Sequence, residues 1–359
     1  MTIATPTEAQ TRMKTLDLEL RYHTPAFPGN AEQNAQWRTP PFKAQLRQFW
    51  RMAYAAAKGF LVNINDMRTT EGRLFGNAWL ERDFCRSRVR LRLDQWNVGS
   101  LTRQQWRGCA TVRHPEVRQL VPSDLYLGYG PVTLPRQSTA PTLKSNAAIQ
   151  AGEHARLSLA YPEEDAPLIE RALRLMHHYG TVGGRSRNGW GSYSLALSSG
   201  EAPADAFAVP QRAWKDCLGL DWPHAIGRDD EGALIWQTAP HKDWRELMKT
   251  LATIRIGLRT RFRFTNGNNA PSPEERHWLS YPVTNHSVES WARNNARLPN
   301  TLRFKARPAA EGGLVCVIFH IPHLPPPAFA PNINAITNVW TEVHRFLDDP
   351  AQNLKRIGM

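Results

Sequence analysis

The sequence lacks any apolar run close to the roughly 20 residues that a membrane-spanning helix needs. Its first residues, MTIATPTEAQTRMK, are polar and contain no apolar stretch of the kind found in secretion signals. Cysteine is also scarce, and no CxxC pair occurs among the four: Cys85, Cys109, Cys217 and Cys316. We therefore expect a cytoplasmic protein that does not act at a membrane, with neither a disulfide framework nor a cysteine-based zinc site.

Acidic residues are also fewer than basic ones. The chain has 45 Lys+Arg against 32 Asp+Glu, a formal net charge of +13, and 36 of the basic residues are arginine while only nine are lysine. The planar guanidinium group binds phosphate in a bidentate manner and stacks on bases, so this composition favours a nucleic-acid partner. A genome that favours arginine codons would produce the same bias, and charge alone does not separate the two explanations.

Hydrophobic periodicity in the first half predicts the order strand, helix, strand, strand, helix, strand. One strand alternates apolar residues with Arg88, Arg90 and Arg92, which gives it a basic outer face. The second helix begins near Glu163 and ends at Gly180, and residues 97–150 form an insertion with local turns. The predicted strands lie at 15–22, 87–96, 153–161 and 190–197, and the first helix lies at 42–58.

The second half follows a linker, SSGEAPADAFAVP, and shows fewer elements. Helices are predicted at 242–262 and 333–348, and a hairpin at 301–322 turns at Gly312-Gly313. We predict an α+β protein of two ferredoxin-like (RRM-like) βαββαβ domains with insertions, residues 1–200 and 201–359. The second domain is divergent, since no sequence repeat is visible.

The first predicted helix carries a basic stripe, defined here as Lys43, Arg47 and Arg51, which recur every four residues. We hypothesise that the stripe lines an RNA groove together with Arg185, Arg187 and Asn188. The alternatives are a solvated face, or an ion pair between Arg47 and a carboxylate at the core edge such as Glu71. Trp50 shares the apolar side of the helix, so a core position is favoured over a stacking platform for RNA bases.

A glycine-rich loop, residues 183–191, is the most specific local motif. A dinucleotide fingerprint needs a strand before its glycines and a helix after them, whereas here a helix precedes and a strand follows. Glycines permit close backbone approach and Arg185 and Arg187 add charge, which favours a cradle for phosphate or the RNA backbone. The alternative is a tight surface turn with two solvated arginines. The candidate RNA-binding residues are Lys43, Arg47, Arg51, Gly183, Gly184, Arg185, Ser186, Arg187, Asn188, Gly189 and Gly191.

The helix, the glycine-rich loop and the following strand resemble those of RAMP proteins, the RNA-binding subunits of CRISPR effector complexes. Further residues are similar in order and spacing to the first subunit of the type III-B (Cmr) complex: Thr24-Pro25, Gly29, Arg38, Pro40, Lys43, Leu46-Arg47, Phe49-Trp50-Arg51, Glu71, Leu74-Phe75-Gly76 and Leu125-Tyr126-Leu127-Gly128-Tyr129-Gly130. The resemblance covers most of residues 15–197 and, more weakly, residues 276–321. Trp37 and Ala44 depart from the family pattern.

The resemblance implies a noncatalytic subunit with two ferredoxin-like domains that lies near the 3′ end of the crRNA. Such a subunit contacts other RAMP subunits of the effector and helps to capture target RNA. It needs no cofactor, no metal ion and no small-molecule substrate.

The alternative function is that of a metal-independent RAMP endoribonuclease that processes crRNA with a histidine. The candidates for general acid–base catalysis are His23, His177 and His178, but nothing in the sequence supplies a clear nucleophile–base pair. The spacing of His320 and His323 is compatible with metal binding, yet it is more typical of a strand end. A generic RRM-like RNA binder is disfavoured because the strand WGSYSLAL lacks the aromatic RNA-binding signature.

Overall fold

A computed structural model describes residues 12–78, 84–197 and 208–358. These residues form a mixed α and β architecture with two four-stranded sheets, one in each half, and several smaller ones. The α+β character predicted from the sequence is confirmed at this level. Within the described ranges, no helix is long and apolar enough to cross a membrane.

The first sheet contains four strands in the order β4-β1-β3-β2, and all neighbours are antiparallel. The strands are β1 (Met13–Tyr22), β2 (Arg90–Leu93), β3 (His154–Pro162) and β4 (Tyr193–Leu197). β2 is shorter than predicted because the backbone amides of Arg88 and Val89 both donate to the carbonyl of Leu74. β4 begins later than predicted because Gly189 and Gly191 turn the chain at positive φ.

Four helices accompany this sheet: α1 (Pro40–Ala57), α2 (Ile64–Phe75), α3 (Ser123–Gly128) and α4 (Ala166–Tyr179). α1 and α4 pack side by side. Trp50 is fully buried, as the prediction of a core position requires. α2 was not predicted from the sequence. Asn63 caps this helix by accepting hydrogen bonds from the amides of Asn65 and Asp66.

The segment between β2 and β3 is an insertion with turns, as predicted. It contains α3 and pairs of two-residue strands: Leu101–Thr102 with Ala147–Ala148, Thr111–Val112 with Val121–Pro122, and Val132–Thr133 with Thr142–Leu143.

The second half contains a sheet in the order β8-β5-β7-β6, again with antiparallel neighbours. Its strands are β5 (Ile235–Thr238), β6 (Leu302–Pro308), β7 (Leu314–His320) and β8 (Leu354–Arg356), and its helices are α5 (Trp244–Thr260), α6 (Glu289–Arg293) and α7 (Ile333–Asp348). Both large sheets therefore place their strands in the order fourth, first, third, second along the chain. The hairpin and both long helices were predicted, whereas β5 and β8 were too short to give a pattern.

Smaller elements complete this half. Gln211–Ala213, Ile226–Asp229 and Gly232–Ala233 form a three-stranded sheet, and Asn269–Ala270 pairs with Ser287–Val288. Short 3-10 helices span Glu163–Asp165, Asp216–Gly219, Glu275–Trp278, Pro327–Phe329 and Pro350–Gln352. The predicted boundary between residues 200 and 201 lies outside the described residues.

Candidate nucleic-acid interface

The basic stripe of α1 lies against α2 and the start of β2. Arg47 Nε donates to Glu71 Oε1, and Arg51 donates to both oxygens of Glu71 at 2.8 and 2.9 Å. Glu71 is 2% exposed, whereas the side chain of each arginine is 36% exposed. Lys43 Nζ donates to Ser87 Oγ at 2.8 Å, and burial together with Arg47 lowers the pKa of this lysine. The pairing with Glu71 that the sequence offered as an alternative is therefore present, and the stripe keeps a net positive charge.

The glycine-rich loop begins beside α1 but not beside the stripe. Gln45 Nε2 donates to the carbonyl of Thr181 at 2.6 Å. At 3.6 residues per turn, Gln45 points away from the side of α1 that carries Arg47. The stripe and the loop therefore contact different parts of the protein.

Backbone geometry requires glycine at two positions of this loop. Gly183 has φ 96°, and a Cβ there would lie 2.8 Å from the carbonyl carbon of Phe27. Gly191 has φ 62°, and a Cβ there would overlap the carbonyl oxygen of Val182. The close approach holds the loop against residues 25–27, where Gly184 N donates to Phe27 O at 3.0 Å and Gly191 N to Pro25 O at 2.9 Å.

The C-terminal part of the loop is buried against other protein groups. Asn188 is 7% exposed, and its Nδ2 donates to the carbonyl of Leu127 at 2.6 Å. Gly189 accepts hydrogen bonds from Thr24 and Ser192 and packs against Leu251 of α5. The picture of a surface turn with two solvated arginines does not describe this loop, because only Arg185 is exposed while Ser186 and Arg187 are half-buried. Direct RNA contact by Asn188, Gly189 and Gly191 stays a prediction.

The loop joins the two halves of the protein through β6, an edge strand of the second sheet. Phe304 N donates to Arg187 O at 3.1 Å, and Ala306 N donates to Ser192 Oγ at 2.9 Å. Between them, Lys305 is fully buried, and its Nζ donates to the carbonyls of Gly180 at 2.6 Å and of Tyr193. The loop thus covers the open edge of the second sheet.

Arginines from the second half converge on this loop. Arg255 and Arg259, one turn apart on α5, lie close enough to Arg185 to repel its charge. Burial and these neighbours lower the pKa of Arg255 to about 10. Arg303 of β6 is 7% exposed, and burial together with Arg187 lowers its pKa to about 9. Burial of like charges is unfavourable unless an anion compensates it.

These residues are named here the junction arginines: Arg185, Arg187, Arg255, Arg259 and Arg303. Within residues 12–78, 84–197 and 208–358, no carboxylate forms an ion pair with any of them. When the Gln48 amide is oriented with its oxygen towards Arg303, it accepts from both terminal nitrogens of that arginine, at 2.8 and 2.9 Å. Arg185 Nε donates to Tyr129 O at 2.6 Å. Arg255, Arg259 and Arg303 were not among the residues predicted from the sequence. Two features of the sequence could have indicated them: the four-residue spacing of Arg255 and Arg259 on α5, and the basic residues at every second position of β6.

Two of the three histidines predicted as catalytic candidates, His23 and His177, contact β4. His23 Nε2 lies 2.9 Å from Ser194 Oγ, and burial and Lys305 lower the pKa of His23 to about 3. Burial and Arg307 likewise lower the pKa of His178 to about 3. A histidine with so low a pKa is neutral at pH 7 and is a weak base.

The pair His320 and His323 does not share a ligand site. His320 Nδ1 lies 2.9 Å from His344 Nε2, and its other ring nitrogen lies 2.9 Å from Thr301 Oγ1. His323 Nδ1 lies 3.0 Å from the carbonyl of Ile321. Among the described residues, no group of three or more His, Cys, Asp or Glu side chains is placed to hold a metal ion.

Comparison with solved structures gives weak likenesses that extend over most of the chain. The chain is similar to Cmr1 from Pyrococcus furiosus in its apo form, at 14% identity over 92% of this chain and 96% of that one, with a TM-score of 0.42. It is similar to a chain of the type III-B Cmr-beta complex bound to cognate target RNA and AMPPnP, at 11% identity over 92% and 98%, with a TM-score of 0.42. A chain of a type IV-B CRISPR complex matches at 11% identity over 56% and 96%, with a TM-score of 0.32.

Comparison with protein families is more informative. No curated protein matches the chain. Residues 20–194 match the model of the family described as the RAMP superfamily. This range runs from β1 into β4 and includes both the basic stripe and the glycine-rich loop. The resemblance identified in the sequence is thereby confirmed for residues 20–194, which match the RAMP-superfamily model.

Proposed function

We propose that this chain is a noncatalytic, RNA-binding subunit of a type III-B (Cmr) CRISPR effector complex. In this role it holds the 3′ region of the crRNA, contacts neighbouring RAMP subunits and helps to capture target RNA. The observation that carries the proposal is the set of junction arginines, none of which forms an ion pair with a carboxylate of the described residues, although Glu116 attracts Arg259 from beyond ion-pair distance. An RNA backbone supplies the missing negative charge at a regular spacing.

The fold supports this role. Each large sheet has the connection strand–helix–strand–strand–helix–strand and the order fourth, first, third, second, which we infer to be two ferredoxin-like domains. The RAMP-superfamily region supplies the glycine-rich loop, and the second domain supplies Arg255, Arg259 and Arg303. RNA at this junction would contact both domains at once.

The hydrogen bonds that the backbone amides of the loop already make restrict where a phosphate can bind. The backbone amides of Gly184, Asn188, Gly189 and Gly191 donate to protein carbonyls. These four amides are not available to a phosphate, and we place the phosphate cradle at residues 185–187, around the exposed Arg185. The buried residues that follow hold these three in place against β6.

The histidines support a noncatalytic role. A general acid must be protonated at the working pH, and pKa values of about 3 for His23 and His178 leave both neutral near pH 7.

The test is the salt dependence of single-stranded RNA binding by the wild type and by the double variant Arg185→Ala/Arg187→Ala. Loss of two phosphate contacts should weaken binding and lower the log–log salt slope by on the order of one unit, at about 0.7 per phosphate for single strands. The double variant Arg118→Ala/Arg228→Ala removes two exposed arginines outside the loop and serves as the matched control.

An unchanged slope in the loop variant would show that RNA does not bind there. The same samples, incubated without metal, report on catalysis, because a noncatalytic subunit leaves labelled repeat RNA intact. Specific cleavage that His23→Ala abolishes would instead establish the endoribonuclease.

A further inference from the structure

A cavity of about 400 Å³ lies beside the glycine-rich loop, between residues 27–35 and the inserted segment 130–146. Phe27 and Pro131 give it an apolar wall. Phe27 is itself 9% exposed and packs against Trp190, with ring centroids 5.3 Å apart, so this wall is anchored in the core. The volume is at the small end of the range for ligand sites and is of the order needed for one nucleotide.

The other walls of the cavity are polar and carry both hydrogen-bond donors and acceptors. Asn34 Oδ1 accepts from the backbone amide of Asn146 at 3.1 Å, which orients the Asn34 amide group. The side chains of Asn146 and Lys144 are exposed, and Arg103 donates to the carbonyl of Lys144. Amide groups of this kind can pair with the edge of a base, and Glu32, which also lines the cavity, can accept from a base amino group.

The cavity and the loop share one wall. Arg185 Nε donates to the carbonyl of Tyr129 at 2.6 Å, immediately before Gly130 and Pro131 of the lining. A Cβ at Gly184 would lie 2.9 Å from Pro131 Cγ, so loop and wall are in close contact. Tyr129 is 67% exposed at this rim. A phosphate on Arg185 would therefore place its own or the next base within reach of the cavity.

We propose that this cavity receives one unstacked base of a single-stranded RNA whose backbone lies on the glycine-rich loop. The face of the base packs against the apolar wall of Phe27 and Pro131, and its edge forms hydrogen bonds with the side-chain amides of Asn34 and Asn146. Lys144 lies at the mouth, where the adjoining phosphate passes. The inference rests on the proposed RNA-binding function and adds to it a site that recognises a base rather than the backbone.

The experiment compares two RNA oligonucleotides of equal length, one with normal bases and one whose central nucleotides are abasic. Each is titrated against the wild type, Asn146→Trp, which fills the cavity, and Thr139→Trp, an exposed position of the same insertion outside the lining. Base stacking on a protein surface contributes about 1–3 kcal/mol per base, so the wild type should prefer the normal RNA by about fivefold or more.

We expect Asn146→Trp to reduce this preference at least threefold while its affinity for the abasic RNA stays within about twofold of wild type. Thr139→Trp should retain the wild-type preference. An unchanged preference in Asn146→Trp, or an equal loss of affinity for both RNAs, would overturn the base site and leave RNA binding in place. Failure of the wild type to bind either RNA would refute the proposed function itself.

Discussion

At the scale of single residues, the basic stripe depends on one buried carboxylate. Glu71 accepts from both Arg47 and Arg51, so two cations share one anion at the edge of the core. The guanidinium groups are held in a fixed orientation, and their side chains stay 36% exposed. The ion pair and the RNA groove suggested by the sequence are therefore compatible, because pairing with Glu71 positions the arginines without neutralising them.

Replacement of this carboxylate tests its structural role. Glu71→Gln removes the charge at a 2% exposed site and leaves two arginines beside each other, so we expect a loss of about 1–3 kcal/mol in the free energy of unfolding. The matched control is Glu164→Gln, whose carboxylate is 65% exposed and pairs with Arg88; it should cost less than about 1 kcal/mol. Urea unfolding measures both. Equal stabilities of the two variants would contradict a structural role for Glu71.

At the scale of elements, the glycine-rich loop is a structural turn with one accessible segment. Its glycines bring the chain against residues 25–27, and its C-terminal end is buried against α5 and β6. This burial fixes Arg185–Arg187 relative to the arginines of α5. The loop can present charge at a defined place because most of its length is devoted to packing.

A substitution at Gly191, where an added Cβ would come closest to another atom, distinguishes the cost of backbone strain from the cost of a steric clash. Gly191→Ala adds a Cβ that overlaps the carbonyl oxygen of Val182, and its φ of 62° is strained for alanine, so we expect a loss of more than about 4 kcal/mol. Gly152→Ala is the control, since its φ is also positive but nothing lies within 4 Å of the added Cβ; it should lose about 1–2 kcal/mol. Thermal and urea unfolding compare them. Similar losses would mean that the loop relaxes around the new methyl group.

The sequence predicted elements best where periodicity ran for many residues. β1, β3, α1, α4, α5, α7 and the β6–β7 hairpin were all anticipated within a few residues. α2 was missed because its amphipathic pattern is weak and its start depends on the cap by Asn63. β5 and β8 were missed because they span four and three residues, and they are defined by their pairing rather than by a pattern of their own.

Part of the candidate site was likewise predictable from the sequence, and part of it was not. Its basic residues on α1 and in the glycine-rich loop were visible from charge, spacing and glycine content. The convergence of Arg255 and Arg303 on that loop was not, because it depends on how the two halves pack, and these arginines lie about 70 and more than a hundred residues beyond the loop in the sequence. Periodicity reports which face of an element is apolar, and it carries no information about the partner of a polar face.

At the scale of the whole molecule, the two halves are joined by groups that belong to the candidate site. Phe304 N donates to Arg187 O, and Lys305 spans the end of α4 and the start of β4 by donating to the carbonyls of Gly180 and Tyr193. Burial lowers the pKa of Lys305 well below its usual value. Lys305 binds main-chain carbonyls of the other half. The positions of Arg187 and Arg303 therefore depend on how the two sheets pack together.

Removal of that link should weaken the junction without removing any accessible charge. In Lys305→Met the carbonyls of Gly180 and Tyr193 lose their buried donor, so we expect a loss of about 3 kcal/mol in unfolding free energy. Lys355→Met, at an exposed lysine of β8, is the control and should change stability by less than about 0.5 kcal/mol. Calorimetry should show one transition for wild type and control, and an earlier or divided transition for Lys305→Met.

If the junction also sets the spacing of the arginines, RNA affinity falls in Lys305→Met although its side chain is inaccessible to RNA. Unchanged unfolding and affinity in that variant would show that the two halves are held together by their apolar contacts alone.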